Sequence, residues 1–163
     1  MDHVEYAYTE GLDDTAIEER LAGAETGVLA LADAGEAYAI PLAHYYDGDS
    51  LFFRLGMTAS SRKRQFLSST TTATYVLYGT EPTAEPRALD SWSIIARGSL
   101  SEVPAADHDR FDTAAINERF APIRVFGEDI DAIDVAIVEL DIESLTGRRT
   151  LELLADDTGV TEG

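Results

Sequence analysis

"EAYAIPLAHYYDGDSLFFRLG", residues 36–56, alternates along most of its length and turns back on itself once. Successive side chains of a strand point to opposite faces. One face therefore carries Tyr38, Ile40, Leu42, His44 and Tyr46, and the other Ala37, Ala39, Pro41, Ala43 and Tyr45. "DGD" (47–49) is a turn, and "SLFFRLG" (50–56) is the returning strand. A tight turn between two strands makes them antiparallel, which points the whole chain toward hairpin-built sheet rather than βαβ units. The Ala37 to Ala43 face is nearly bare. Small side chains there let another backbone or a flat ligand approach closely, and Pro41 removes a ladder donor, which suits an edge or a bulge. A strand face covered by a packed helix or a partner subunit is the more ordinary reading of the same pattern.

Working toward the N-terminus, "TGVLALA" (26–32) reads as a buried strand joined to this hairpin by the turn "DAG" (33–35). Before it, "DDTAIEERLAGAE" has Asp13 or Asp14 as helix N-cap, Ile17 and Leu21 on one face, and Gly23 as a stop. Toward the C-terminus, "TASSRKRQFLSS" (58–69) is a helix capped by Ser60 or Ser61, with Phe66 and Leu67 as apolar contacts. "TTTATYVLYG" (70–79) and "SWSIIARGSLSEV" (91–103) are strands four and five. "PAADHDRFDTAAINERFAPI" (104–123) is helical by period, with Phe111, Ala114, Ala115, Ile116 and Phe120 inward. "AIDVAIVELDIESLTGRRTLEL" adds one or two last strands with Val135, Ile137 and Val138 in the core. This order predicts one compact α+β domain over 1–154, an antiparallel, Greek-key-like barrel with flanking helices, and a disordered acidic tail over 155–163.

Charge narrows the function. The chain has 163 residues, 31 acids against 12 bases and a formal net charge of −19. No broad basic face for nucleic acid can be assembled from this set. Such self-repulsion is largely screened in roughly 1 M salt, where the Debye length is about 3 Å, so the composition resembles that of a salt-accumulating halophile. Cysteine is absent and His3, His44 and His108 are far apart, which excludes thiol chemistry and argues against a metal site. Neither a signal peptide nor an apolar run of membrane-spanning length is visible, so the expected location is the cytoplasm. There is no G-x-G-x-x-G or P-loop sequence.

Against this background Arg62, Lys63 and Arg64 are conspicuous, because Lys63 is the sole lysine. A helix N-terminus is already partly positive, so three cations in the first turn are unfavourable unless an anion joins them. Backbone N–H groups, serine hydroxyls and cations at one helix start make an anion site. A solvated basic turn paired with surface acids is the competing reading.

The ordered set "TGVLALA", "YAIPLAHYYDGDSLFFRLG", "SRK", "SWSIIARGSLSEV" and "VAIVELDIESLTGRR" resembles the FMN-binding split β-barrels related to pyridoxamine 5'-phosphate oxidase, including the nitroimidazole-resistance-type flavoproteins. The resemblance spans about residues 12–149. It implies that Ser61, Arg62 and Lys63 hold the FMN phosphate and that Arg54 and Leu55 lie beside the ribityl chain or phosphate. It also implies that Ala39, Ile40 and Pro41 offer backbone groups to the flavin edge, and that Trp92 and Ser93 contact the cofactor. The implied assembly is a homodimer with FMN at the interface, and the implied activity an oxidoreductase acting on a small organic acceptor or oxygen. A non-catalytic module holding flavin, deazaflavin or haem shares every one of these features. The oxidase proper carries a C-terminal segment that recognises its phosphorylated substrate, whereas "LTGRR" is followed here by "TLELLADDTGVTEG", so pyridoxamine phosphate is not the expected substrate. Trp92 also fits core or dimer interface, His44 a hydrogen-bonded core position, and Arg148 and Arg149 either a partner's flavin or surface pairs.

Overall fold

The computed structural model describes residues 8–24, 26–82, 89–111, 118, 131 and 133–150. In chain order these form β1 (Thr9–Gly11), α1 (Asp14–Gly23), β2 (Thr26–Asp33), β3 (Glu36–Ala43), β4 (Tyr45–Tyr46) and β5 (Ser50–Met57). There follow α2 (Arg62–Ser69), β6 (Thr72–Pro82), β7 (Leu89–Glu102), a 3-10 helix (Ala105–Phe111) and β8 (Asp134–Thr150). The strands make one sheet in the order β3-β2-β6-β7-β8-β5-β4, with β1 on β8, and every pairing is antiparallel. The sheet curls until β3 and β5, which share no ladder, approach each other. That seam makes the molecule a split barrel, an α+β fold with two helices, as the resemblance implied.

Local chemistry explains the elements. Asp13 caps α1 by accepting from the Ala16 N–H at 2.8 Å, and Ile17 and Leu21, one turn apart, are buried in the barrel. In the β2–β3 hairpin both turn residues, Ala34 (φ +48°) and Gly35 (φ +83°), are left-handed, matching the twist of the strands they join. His44 falls between β3 and β4, so the long alternating stretch is broken there rather than continuous.

The last strand is one element of 17 residues. Its register against β7 steps from Arg97 with Ser144 to Gly98 with Ile142, leaving Glu143 as the extra residue of a bulge. The bulge changes which positions face inward. Before it Ala136, Val138 and Leu140 lie in the core; after it Leu145 packs there, and Gly147 lies against Leu12 and Ile17. One strand thereby serves both halves of the barrel.

The principal core fills the barrel with Leu29, Leu51, Phe53, Tyr75, Leu77 and Ile94 among its buried residues. A satellite cluster of Phe52, Val103, Phe111 and Ile137 lies on the outer face of β5 and β8 under the 3-10 helix. Val135 corrects one expectation: it is 52% exposed, because it shares the outer face with Ile137 but lies beyond the satellite cluster. The expected long helix over 104–123 begins as a 3-10 helix, with Phe111 inward. Ala114, Ala115, Ile116 and Phe120, and the 155–163 tail, lie outside the described residues. No helix among the described residues is long and apolar enough to cross a membrane.

Candidate functional site at the barrel seam

Ser61 is the N-cap of α2, its Oγ accepting from the Arg64 N–H at 3.4 Å, and no acid stands in the first turn. The three cations that follow fan out, as a 100° rotation per residue requires. Arg62 leans toward β3, its guanidinium carbon 5.8 Å from the Tyr38 ring centroid and 5.7 Å from that of Phe66. Those two rings stack at 5.0 Å. Among the described residues its acidic neighbour is Glu36, at 3.9 Å with both side chains exposed, a pairing worth little. Lys63 donates from Nζ to the Gly56 carbonyl on β5 at 2.9 Å. Arg64 turns the other way, to Asp134 at 2.9 Å and the Thr58 carbonyl at 3.4 Å. Arg62 and Lys63 thus flank the helix start, while Arg64 is engaged with the base of β8.

β3 is an edge strand, the place in a sheet where a proline is tolerated. Ala39 and Pro41 point outward and are exposed; Ile40 points inward and packs on the core. On β5, Leu55 is 2% exposed and faces the core, so only its backbone is open to the seam. Arg54 takes the opposite face, level with Ile137 and two residues from the carbonyl that Lys63 holds, and burial pushes its guanidinium pKa down.

Trp92 and Ser93 are not brought to this group. They pair with Arg149 and Arg148, fifteen and fourteen residues along β8 from the Asp134 that Arg64 engages. That is roughly 50 Å of strand at about 3.3 Å per residue. Trp92 faces inward over Gly79, whose missing side chain makes room for the indole, and Arg20 of α1 covers the ring at 4.7 Å. Ser93 faces outward beside Tyr78 and Arg148, at a cavity of about 230 Å³. Arg148 donates to Thr9 Oγ1 at 3.0 Å, and Arg149 pairs with Glu10, so both arginines engage β1. Three-residue β1 carries no periodic signal of its own, and the sequence reading missed it together with this cavity.

His44 is buried in a hydrogen-bonded core position. Nε2–H donates to the Leu21 carbonyl at 2.9 Å, and Nδ1 lies 2.9 Å from the Tyr75 hydroxyl. Desolvation holds its pKa below the usual histidine range. Among the described residues no cluster of three His, Cys, Asp or Glu could hold a metal ion.

Across the outer face of the sheet, Pro41, Val28, Val76 and Ile95 stand in one cross-strand row. Ile95 is 46% exposed and Tyr78, nearby on the same face, 69%. This apolar surface continues from the bare face of β3.

No curated protein matches the chain in sequence. Solved structures do match its fold. A candidate 5-nitroimidazole antibiotic resistance protein from Bacteroides thetaiotaomicron superposes with a TM-score of 0.66 at 18% identity, covering 92% of this chain and 95% of that one. An FAD-binding protein from Mesorhizobium loti gives 0.65 at 16%, covering 90% and 100%. The FAD and haem binding protein from Mycobacterium smegmatis gives 0.56 at 15%, covering 87% and 73%. These identities speak for the fold alone. The sequence model for pyridoxamine 5'-phosphate oxidase matches residues 13–149, and with that span of match the chain belongs to the pyridoxamine 5'-phosphate oxidase family.

Proposed function

We propose that this protein is a flavoprotein that binds FMN at the seam and acts as an oxidoreductase on a small organic acceptor or oxygen. The observation that carries this reading is the start of α2. Arg62 and Lys63 stand beside an N-cap serine and the free N–H groups of a helix N-terminus; Arg62 reaches Tyr38 of β3, and Lys63 the Gly56 carbonyl, two residues from the partly buried Arg54. The donor set fits a phosphate. Lys63 spends one of its three donors on Gly56, and among the described residues Arg62 meets an acid through a long, exposed contact. Charge-assisted bonds from these cations contribute roughly 1.5–3 kcal/mol each.

In this reading Ser61, Arg62 and Lys63 hold the phosphate, and Ala39, Ile40 and Pro41 present backbone groups to the ring edge. Arg54 and the backbone of Leu55 lie between them. FMN when bound supplies the electron transfer; the chain's own residues position it and shield it from water. Trp92 and Ser93, remote from α2 within one chain, would serve the cofactor from a second copy, which favours a homodimer with FMN at the interface. The uncovered row of Pro41, Val28, Val76 and Ile95 is the surface on which such a dimer would close. We infer further a single domain over 1–154 in the cytoplasm of a cell with a salt-rich interior, on the strength of the −19 charge.

A second reading, a non-catalytic carrier of flavin, deazaflavin or haem, is favoured by the FAD and haem binding of the Mycobacterium smegmatis relative in fold. The test is an absorbance spectrum of protein purified in molar salt, then FMN titration of wild type and of Arg62→Ala/Lys63→Ala. Tight FMN binding lost in the double variant supports the site. Colourless protein indifferent to FMN overturns it. Reduction by a nicotinamide donor followed by acceptor-dependent reoxidation separates enzyme from carrier.

A further inference from the structure

At the end of the sheet remote from α2, two cross-strand rows meet on the outer face. One is a row of hydroxyls: Thr80 pairs with Ser91, Ser91 Oγ lies 2.8 Å from Thr150 Oγ1, and Thr150 pairs with Thr9. The adjacent row sets Tyr78, Ser93 and Arg148 in register. Between them lies the cavity of about 230 Å³. That is below the roughly 300–1,000 Å³ of sites for drug-sized ligands, so it suits one ring with one substituent rather than a whole cofactor.

The charge of the lining is the second observation. Acids outnumber bases 31 to 12 in this chain, yet among the described residues no carboxylate lines the cavity, and the charged ones are arginines. Arg148 pairs with no carboxylate among the described residues. Its Nε and Nη2 are steered by Thr9 Oγ1 and the Thr9 carbonyl, at 3.0 and 3.5 Å, which leaves donors of the guanidinium for an anion. Arg149 is directed to Glu10 instead. On the opposite flank Tyr78, 69% exposed, offers an aromatic surface.

We propose that this cavity binds a small aromatic carboxylate, with the carboxylate on Arg148 and Ser93 and the ring against Tyr78. The cavity's side chains are separate from the α2 cluster, but Trp92 and Ser93 line it and also serve a partner's FMN in the cofactor reading, so the proposal rests on that reading in placing the ligand beside that cofactor.

The test is calorimetric titration with benzoate and with neutral benzamide, on wild type, Arg148→Gln and Tyr78→Ala, with and without saturating FMN, folding being checked by circular dichroism. Saturable benzoate binding is expected, with benzamide and Arg148→Gln each weaker by about tenfold or more. Tyr78→Ala, on an exposed position, should weaken benzoate without altering the fold. Absence of saturable benzoate binding, or Arg148→Gln binding like wild type, overturns the proposal. Displacement of benzoate by FMN overturns it too, because the cavity would then belong to the flavin. Benzoate binding by a protein that ignores FMN would sink the cofactor reading and leave this site standing.

Discussion

His44 and Tyr75 meet ring nitrogen to hydroxyl at 2.9 Å, and this contact joins three elements. His44 reaches back to the last turn of α1 at Leu21, while the Tyr75 oxygen also lies 3.0 Å from the Leu42 carbonyl on β3. Burial lowers the pKa of His44 and raises that of Tyr75, so the neutral pair is the folded form. Because the unfolded chain takes up a proton on His44 first, its contribution is complete above about pH 6.5 and is lost progressively as pH falls. Urea unfolding as a function of pH should show an acid limb that His44→Gln flattens; equal slopes for the two proteins would refute this. Tyr75→Phe should cost about 1–3 kcal/mol at neutral pH by leaving buried partners unpaired.

Ala34 holds a left-handed conformation, φ +48°, at the tip of the β2–β3 hairpin. An L-residue with a Cβ is strained there by about 1–2 kcal/mol, and asparagine tolerates the region better. Ala34→Asn is therefore expected to raise stability by up to about 1 kcal/mol, read from the denaturation midpoint. A loss of stability would show that Ala34 is not left-handed in solution.

Gly79 touches the indole of Trp92, and a Cβ at that position would overlap it. Gly79→Ala must displace the ring from its place beneath Arg20, at a cost of about 1–3 kcal/mol. Trp92 is the sole tryptophan, so emission reports this displacement directly. An unshifted spectrum in a folded variant would contradict the packing described.

The −19 charge predicts salt dependence. Between about 0.1 M and 1 M NaCl the Debye length falls from about 10 Å to about 3 Å, so the thermal midpoint should rise steeply over that range. A midpoint indifferent to salt would remove the argument for a salt-rich setting.

Ile95→Arg places a charge in the middle of the exposed row formed with Pro41, Val28 and Val76. Light scattering should find wild type as a dimer and the variant shifted to monomer. Wild type that is monomeric with FMN bound would remove the dimer from the proposal.

The barrel was largely legible in local chemistry. Alternation in 36–56, the Asp13 and Ser61 caps and the two short turns each act over a few residues, and such preferences do not need the rest of the molecule to express themselves. The cation cluster was legible for the same reason, since three consecutive bases at a helix start create their conflict within one turn. Direction was not. Whether Arg62, Lys63 and Arg64 share one anion depends on which neighbours they meet, and Glu36, Gly56 and Asp134 arrive from three different strands. Val135 looked like core because it is apolar and flanked by core, but a strand has two faces and only tertiary packing decides how far each is covered. The separation of Trp92 and Ser93 from α2 has the same origin. They are carried to the remote end of a long strand by antiparallel register, and register is a property of paired strands rather than of any one of them.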